Sequence, residues 1–182
     1  MPPAHHPIVF STPMVEAIVA GKKSQTRRVV KPRSYIVEVE ENIPYEMTED
    51  DAQPIRCPYG EVGDILWVRE TYQHQQDSGY IYKASKASRE IKNPKWKPSI
   101  FMPKSACRIF LQVTNIRVEP LQDISEDDLK SEGIDYTIGY YPILLEAFEQ
   151  LWAGINGQKS WDRNPYVWVI EFKVVNRPPH FV

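Results

Sequence analysis

Residues 21–28 read Gly21, Lys22, Lys23, Ser24, Gln25, Thr26, Arg27 and Arg28, so four cations surround two hydroxyls. That composition supports two kinds of chemistry. Ammonium and guanidinium groups bind phosphate or pair with carboxylates. A hydroxyl is a weak nucleophile and attacks a carbonyl only beside a base. A lysine becomes such a base when burial or cationic neighbours bring its pKa toward neutrality. Lys22, Arg27 and Arg28 are such neighbours for Lys23. Glu70, in the alternating run Trp67, Val68, Arg69, Glu70, is a carboxylate that could join them. In a strand that run sends Arg69 and Glu70 to opposite faces. There is no glycine-rich phosphate loop, no nucleophile elbow and no metal-ligand spacing, so no cofactor or metal is expected.

The elements that must position these residues are short. A helix is expected over residues 12–20: Thr12 can cap it, Pro13 suits its first turn, and Gly21 suits its end. A second is expected over residues 125–132, with Ser125 as cap, Glu126, Asp127 and Asp128 at its positive end, and Gly133 as its stop. A third starts near Pro142, where Leu144, Leu145, Phe148, Leu151 and Trp152 recur at helical spacing before Gly154. Strands are expected over residues 65–72, 80–82, 107–118 and 166–175, all rich in β-branched and aromatic residues. Residues 31–59 and 86–105 read as insertions, the first polar and proline-broken, the second basic and holding Pro94, Trp96, Pro98 and Pro103. Trp67 and Trp168 belong to the core. Trp96, Tyr80 and Trp161 fall in or near loops, where an aromatic ring can stack on a base.

Composition narrows the classes. A chain of 182 residues with 42% hydrophobic side chains is large enough for a real core. Cys57 and Cys107 are far apart and lack nearby histidine pairs, which excludes a disulfide framework and a zinc set and favours a reducing compartment. Residues 1–13 have no basic start and no continuous apolar run, so no secretory leader is expected, and no segment is apolar enough to span a membrane. A cytoplasmic protein is expected. The formal net charge of -2 is uninformative, but its distribution is not. Residues 22–33 hold six basic residues and no acid, residues 83–108 hold eight against Glu90, and residues 119–149 hold nine acids against Lys130. If the two basic segments meet, they form one cationic face for phosphates.

Gly21, Lys23, Thr26 and Arg28 fill the pattern Gly-x-Lys-x-x-Thr-x-Arg, which resembles the motif after the first helix of the ASCH family. Three later segments resemble the same family in the right order. They are Gly63-Asp64 with Leu66, Val68, Arg69 and Glu70, the helix end Glu132-Gly133, and the closing run Trp168-Val169-Ile170-Glu171-Phe172. The resemblance spans residues 8 to 175. Trp96, Pro98, Ser99, Ile100, Phe101, Met102 and Pro103 are similar to a feature of the longer bacterial and phage members.

The resemblance implies an α+β, PUA-like fold: one domain over residues 1–182, a twisted and mostly antiparallel β-barrel with flanking helices, and the segment 21–28 at the mouth of its cleft. One branch of that family hydrolyses the amide of acetylcytidine. By that likeness Lys23, Thr26 and Glu132 are the catalytic set: Lys23 activates Thr26, and Glu132, whose anion a helix end disfavours, holds a proton for the leaving amine. Gly21, Arg28, Glu70, Lys95, Trp96 and Lys97 are expected to bind substrate. The expected partner is nucleic acid or a modified nucleoside, with no membrane. Two alternatives stay open: a reader of RNA or DNA without turnover, and a phage-type accessory or assembly protein.

Overall fold

Short apolar runs separated by proline and glycine fold into many small elements. The computed structural model describes residues 2–32, 36–48, 51–75, 79–179 and 181. In chain order these hold strand β1 (His5–Val9), helix α1 (Thr12–Val19), strands β2 (Gln25–Val29), β3 (Ile36–Glu40), β4 (Ile43–Met47), β5 (Ala52–Pro54), β6 (Ile65–Arg69), β7 (Tyr72–Gln75), β8 (Gly79–Tyr82) and β9 (Phe110–Pro120), helices α2 (Glu126–Ser131), α3 (Tyr141–Asn156) and α4 (Gln158–Asp162), and strand β10 (Tyr166–Val175). The chain groups into two compact units, and β9 and β10 run through both.

The first unit comprises Met1–Gly21, Tyr59–Val113 and Lys173–Val182. Here β1 lies parallel to β6, and β6 lies antiparallel to β9. Asp64 builds the turn before β6: its carboxylate accepts from the amides of Ala4 (2.8 Å) and Glu61 (3.0 Å) and faces His6 Nε2 at 3.2 Å. A hairpin of β7 and β8 is extended by Lys97, whose backbone bonds Tyr72 in both directions at 2.7 and 3.2 Å. Tyr72, Met102, Cys107, Phe110 and Phe181 form the core of this unit.

The second unit comprises Lys22–Pro58 and Thr114–Phe172. Strand β2 pairs antiparallel with β10, and β3, β4 and β5 make a separate antiparallel sheet. The β3–β4 turn places both Glu41 (φ 47°) and Asn42 (φ 66°) in the left-handed region, the geometry of a tight hairpin turn. Helix α3 buries Leu144, Phe148 and Trp152, one stripe at four-residue spacing, against Leu129, Trp161, Val167 and Val169. Each such side chain contributes roughly 1.5–3 kcal/mol by burial.

Several expectations are corrected. The fold is mixed α+β, but its sheets do not close into a barrel. The main sheet is ordered β1-β6-β9-β10-β2 and ends on two edges. Pro7 sits in β1, and a proline confines a strand to an edge because it has no N–H to offer a further neighbour. Trp161 is buried in α4 beside Phe148, so it is core and not a stacking residue of a loop. The polar segment 31–59 holds the three-stranded sheet of β3, β4 and β5. No helix of the described residues is long and apolar enough to cross a membrane.

Candidate functional site

The basic segment turns into strand β2 because Ser24 is clamped on both sides. Its N–H donates to Ser131 O (2.9 Å) at the end of α2, and its carbonyl accepts from Phe172 N (2.8 Å) on β10. This sets Lys23 against the C-terminal end of α2, where helix carbonyls lack partners. Lys23 Nζ donates to Glu132 Oε2 at 2.6 Å and to Glu132 O at 2.8 Å. The Lys23 side chain is 0% exposed and that of Glu132 4%. Burial pushes the Lys23 ammonium below its usual pKa, with Arg28 and Arg27 adding to the effect and Glu132 opposing it.

From Glu132 the charges continue in alternation. Arg27, 1% exposed, donates to Glu132 Oε1 (3.3 Å), Glu119 Oε1 (2.6 Å) and Asp128 Oδ2 (3.1 Å). Arg117 donates to Glu119 Oε2 (2.9 Å), Asp128 Oδ1 (2.8 Å) and Glu171 Oε1 (2.5 Å). Asp128 is also the inner residue of a capping box with Ser125. Burial would raise its carboxyl, but Arg117, Gln25, Arg27 and Ser125 bring it down to about 2. Arg117 is held above its usual range, since Glu119 and Asp128 outweigh its burial. Beside this network lies a polar pocket of about 240 Å³ lined by Ser24, Gln25, Thr114, Asp127, Asp128, Ser131, Glu171 and Phe172. The Gln25 amide leans on Asp128, yet its buried Nε2 completes no well-formed hydrogen bond.

The candidate residues therefore divide. Lys23 and Glu132 come together, and Arg27, expected as a cationic neighbour of Lys23, also pairs with Glu132. Thr26 is buried on β2, where alternation places it with Arg28 on the face opposite Gln25 and Arg27. Gly21 ends α1 with φ 69°. Glu70 belongs to the first unit, is 1% exposed, and is gripped bidentately by Arg108 at 2.8 and 2.9 Å. Lys95 and Lys97 are exposed and Trp96 between them is half-buried. The two basic segments fall in separate units. The earlier one is no open cationic face, because Lys23 and Arg27 are spent on carboxylates; Arg33 lies outside the described residues.

Arg117, Glu119 and Asp128 were missed, as was the pairing of Arg27 with carboxylates. Their signal is strand parity: Gln25 and Arg27 share a face of β2, and Arg117 and Glu119 share a face of β9. A face that carries charge where burial is expected must be met by opposite charge. Among the described residues no group of histidine, cysteine and acids is placed to hold a metal ion.

No family model matches the sequence, and no curated protein does. Solved structures that resemble the fold include two of low sequence identity. One is an ASCH domain from Lactobacillus crispatus JV V101, with TM-score 0.46 and 13% identity, covering 96% of this chain and 81% of that one. The chain has a structural match to an ASCH domain over nearly its full length. The other is protein EF3133 from Enterococcus faecalis V583, described as DUF984, with TM-score 0.46 and 12% identity over 99% of this chain and 84% of that one.

Proposed function

We propose that this chain binds nucleic acid or a modified nucleoside, with the surface of residues 83–108 as its grip on phosphate. One observation supports this above the others. Lys83, Lys86, Arg89, Lys92, Lys95, Lys97 and Lys104 are all exposed, Arg108 is paired with Glu70, and Glu90 is the one exposed acid among them. The hairpin ladder orders part of this surface, since Lys97 pairs with Tyr72, which pairs with Tyr82, next to Lys83. Such a surface attracts a polyanion and releases its counterions on contact. The test is binding to RNA and DNA across a salt series. Affinity is expected to fall steeply with salt, and Lys95→Ala with Lys97→Ala to weaken binding alike for all sequences. Binding that ignores salt, or none to any strand, refutes the reading and favours an accessory or assembly role.

A second reading is hydrolysis of an acylated base such as acetylcytidine, and the buried Lys23–Glu132 pair favours it. Burial lowers the pKa of Lys23 against the opposing pull of Glu132, the direction a base requires. This reading requires Lys23 Nζ, held by Glu132, to reach Thr26 on the other face of β2, where it takes the proton of Thr26 Oγ as the oxygen bonds the acyl carbon. The leaving exocyclic nitrogen takes a proton back, and water then splits the acyl ester on Thr26. Turnover of a panel of acylated nucleosides tests it. Lys23→Ala and Thr26→Ala should each abolish turnover and Glu132→Gln impair it severely, because residues acting as a unit fail together. Arg28→Ala should mainly weaken substrate binding. Unchanged turnover in Lys23→Ala excludes the mechanism.

A further inference from the structure

The first unit carries an apolar point inside its most basic surface. Ile100 is 57% exposed and Phe101 65%, whereas the adjacent Met102 is 1% exposed. A phenylalanine left in water contributes little to folding by burial, so its ring is free to contact another molecule. The turn that holds it, Ser99–Phe101, is fixed unusually well. Three successive carbonyls are captured: Arg69 donates to Ile100 O and, through Nε, to Met102 O at 3.2 Å, and Tyr72 Oη donates to Phe101 O at 3.0 Å. Met102 Sδ accepts from Glu70 N at 3.2 Å, and the backbone of Lys97 is tied to Tyr72. Arg69 and Tyr72 therefore position the turn from one side, while its side chains face water on the other. The flanking Lys97 and Lys104 are exposed, and residues 91–108 contain no acid.

We propose that Phe101, on this pinned turn, is a stacking point for an unpaired base of single-stranded RNA or DNA, whose phosphates meet Lys97 and Lys104. This rests on the nucleic-acid reading above and names the form of nucleic acid that fits. A flat ring between cations matches a base between phosphates. A ring already fixed by its backbone loses little freedom when a base settles on it. Duplex bases are stacked on one another and cannot use it.

The experiment measures binding of a mixed-sequence oligonucleotide, as single-stranded RNA, single-stranded DNA and duplex, and of vesicles of anionic phospholipid. The proteins are wild type, Phe101→Ala, Phe101→Trp and Lys97→Ala, each checked for an unchanged urea midpoint. Phe101→Ala is expected to weaken single-strand binding roughly 5- to 150-fold, the range for loss of one base–aromatic stack. Its salt dependence should match wild type because no charge is lost, whereas Lys97→Ala should flatten that dependence. Phe101→Trp should restore affinity, and the duplex should bind more weakly and without regard to residue 101. Wild-type affinity in Phe101→Ala beside weakened binding in Lys97→Ala overturns the stacking point and leaves the nucleic-acid reading standing. Absence of binding to every strand overturns both, as does binding to the vesicles alone.

Discussion

At the residue scale, the Lys23 ammonium has no contact with water and depends on Glu132 for its charge. Removing one partner of a buried pair leaves an uncompensated charge, which costs about 3–5 kcal/mol. Arg27 also holds Glu132, so Lys23→Met should fall near the lower end, about 3 kcal/mol, in urea unfolding. The double variant Lys23→Met, Glu132→Leu should cost clearly less than the sum of the single ones. Additive losses would mean that the two side chains are not coupled. Asp128 gives a pH signature of definite sign. Its carboxyl lies at about 2, below its ordinary 3.8, so the folded state binds its proton less readily than the unfolded state. The stability it contributes is full above pH 3.8 and is lost as pH falls toward 2. Its partial contact with water reduces that contribution to about 1 kcal/mol. Asp128→Asn should remove this acid dependence, and the difference from wild type should be larger at pH 6 than at pH 2. The pair Lys23 and Glu132 was legible from motif position. Arg27 was not, because one arginine in a basic run looks solvated until its strand parity is known.

At the element scale, legibility followed how local the signal was. Helix α2 was readable from Ser125 and Gly133, and the structure adds that Asp128 closes the capping box. Ser125→Ala should therefore cost about 1 kcal/mol, read from the urea midpoint. Gly133 sits at φ 88°, so Gly133→Ala should cost a similar amount through backbone strain, whereas a neutral effect would mean that the helix end is not held there. Strand β2 escaped notice because Gln25, Thr26 and Arg27 are polar and yet buried. The apolar alternation that marks a strand is absent where charge is buried against charge. The hairpin of β3 and β4 escaped for a different reason: its turn uses Glu41 and Asn42 at positive φ, not the Asn-Gly pair that usually marks one. Strand β1 was hidden by Pro7, which is tolerated because β1 is an edge.

At the scale of the molecule, the net charge of -2 conceals two opposed segments. In the second unit Arg27, Arg117 and Lys23 are consumed by internal carboxylates, so they have no charge to lend a phosphate. In the first unit the exposed cations of residues 83–108 are opposed by Glu90 and by the buried Glu70 that Arg108 engages. Barrel closure was expected from the family likeness, and nothing local in the sequence could test it, because closure depends on whether distant edges meet. Charge segregation was legible, and it yields the last prediction. If binding is electrostatic and carried by the first unit, each phosphate contact removed lowers the slope of log affinity against log salt by about 0.7 for a single strand. A variant carrying Lys95→Ala, Lys97→Ala and Lys104→Ala should therefore lose about 2 from that slope. Lys130→Ala, which removes a half-buried cation already paired with Glu126 and Asp127, should leave the slope unchanged. Fluorescence anisotropy across a salt series reads both. Equal slopes for the triple variant and wild type would show that these lysines are ordinary solvated charges. A slope change in Lys130→Ala as large as one phosphate contact would place the contact surface in the second unit instead.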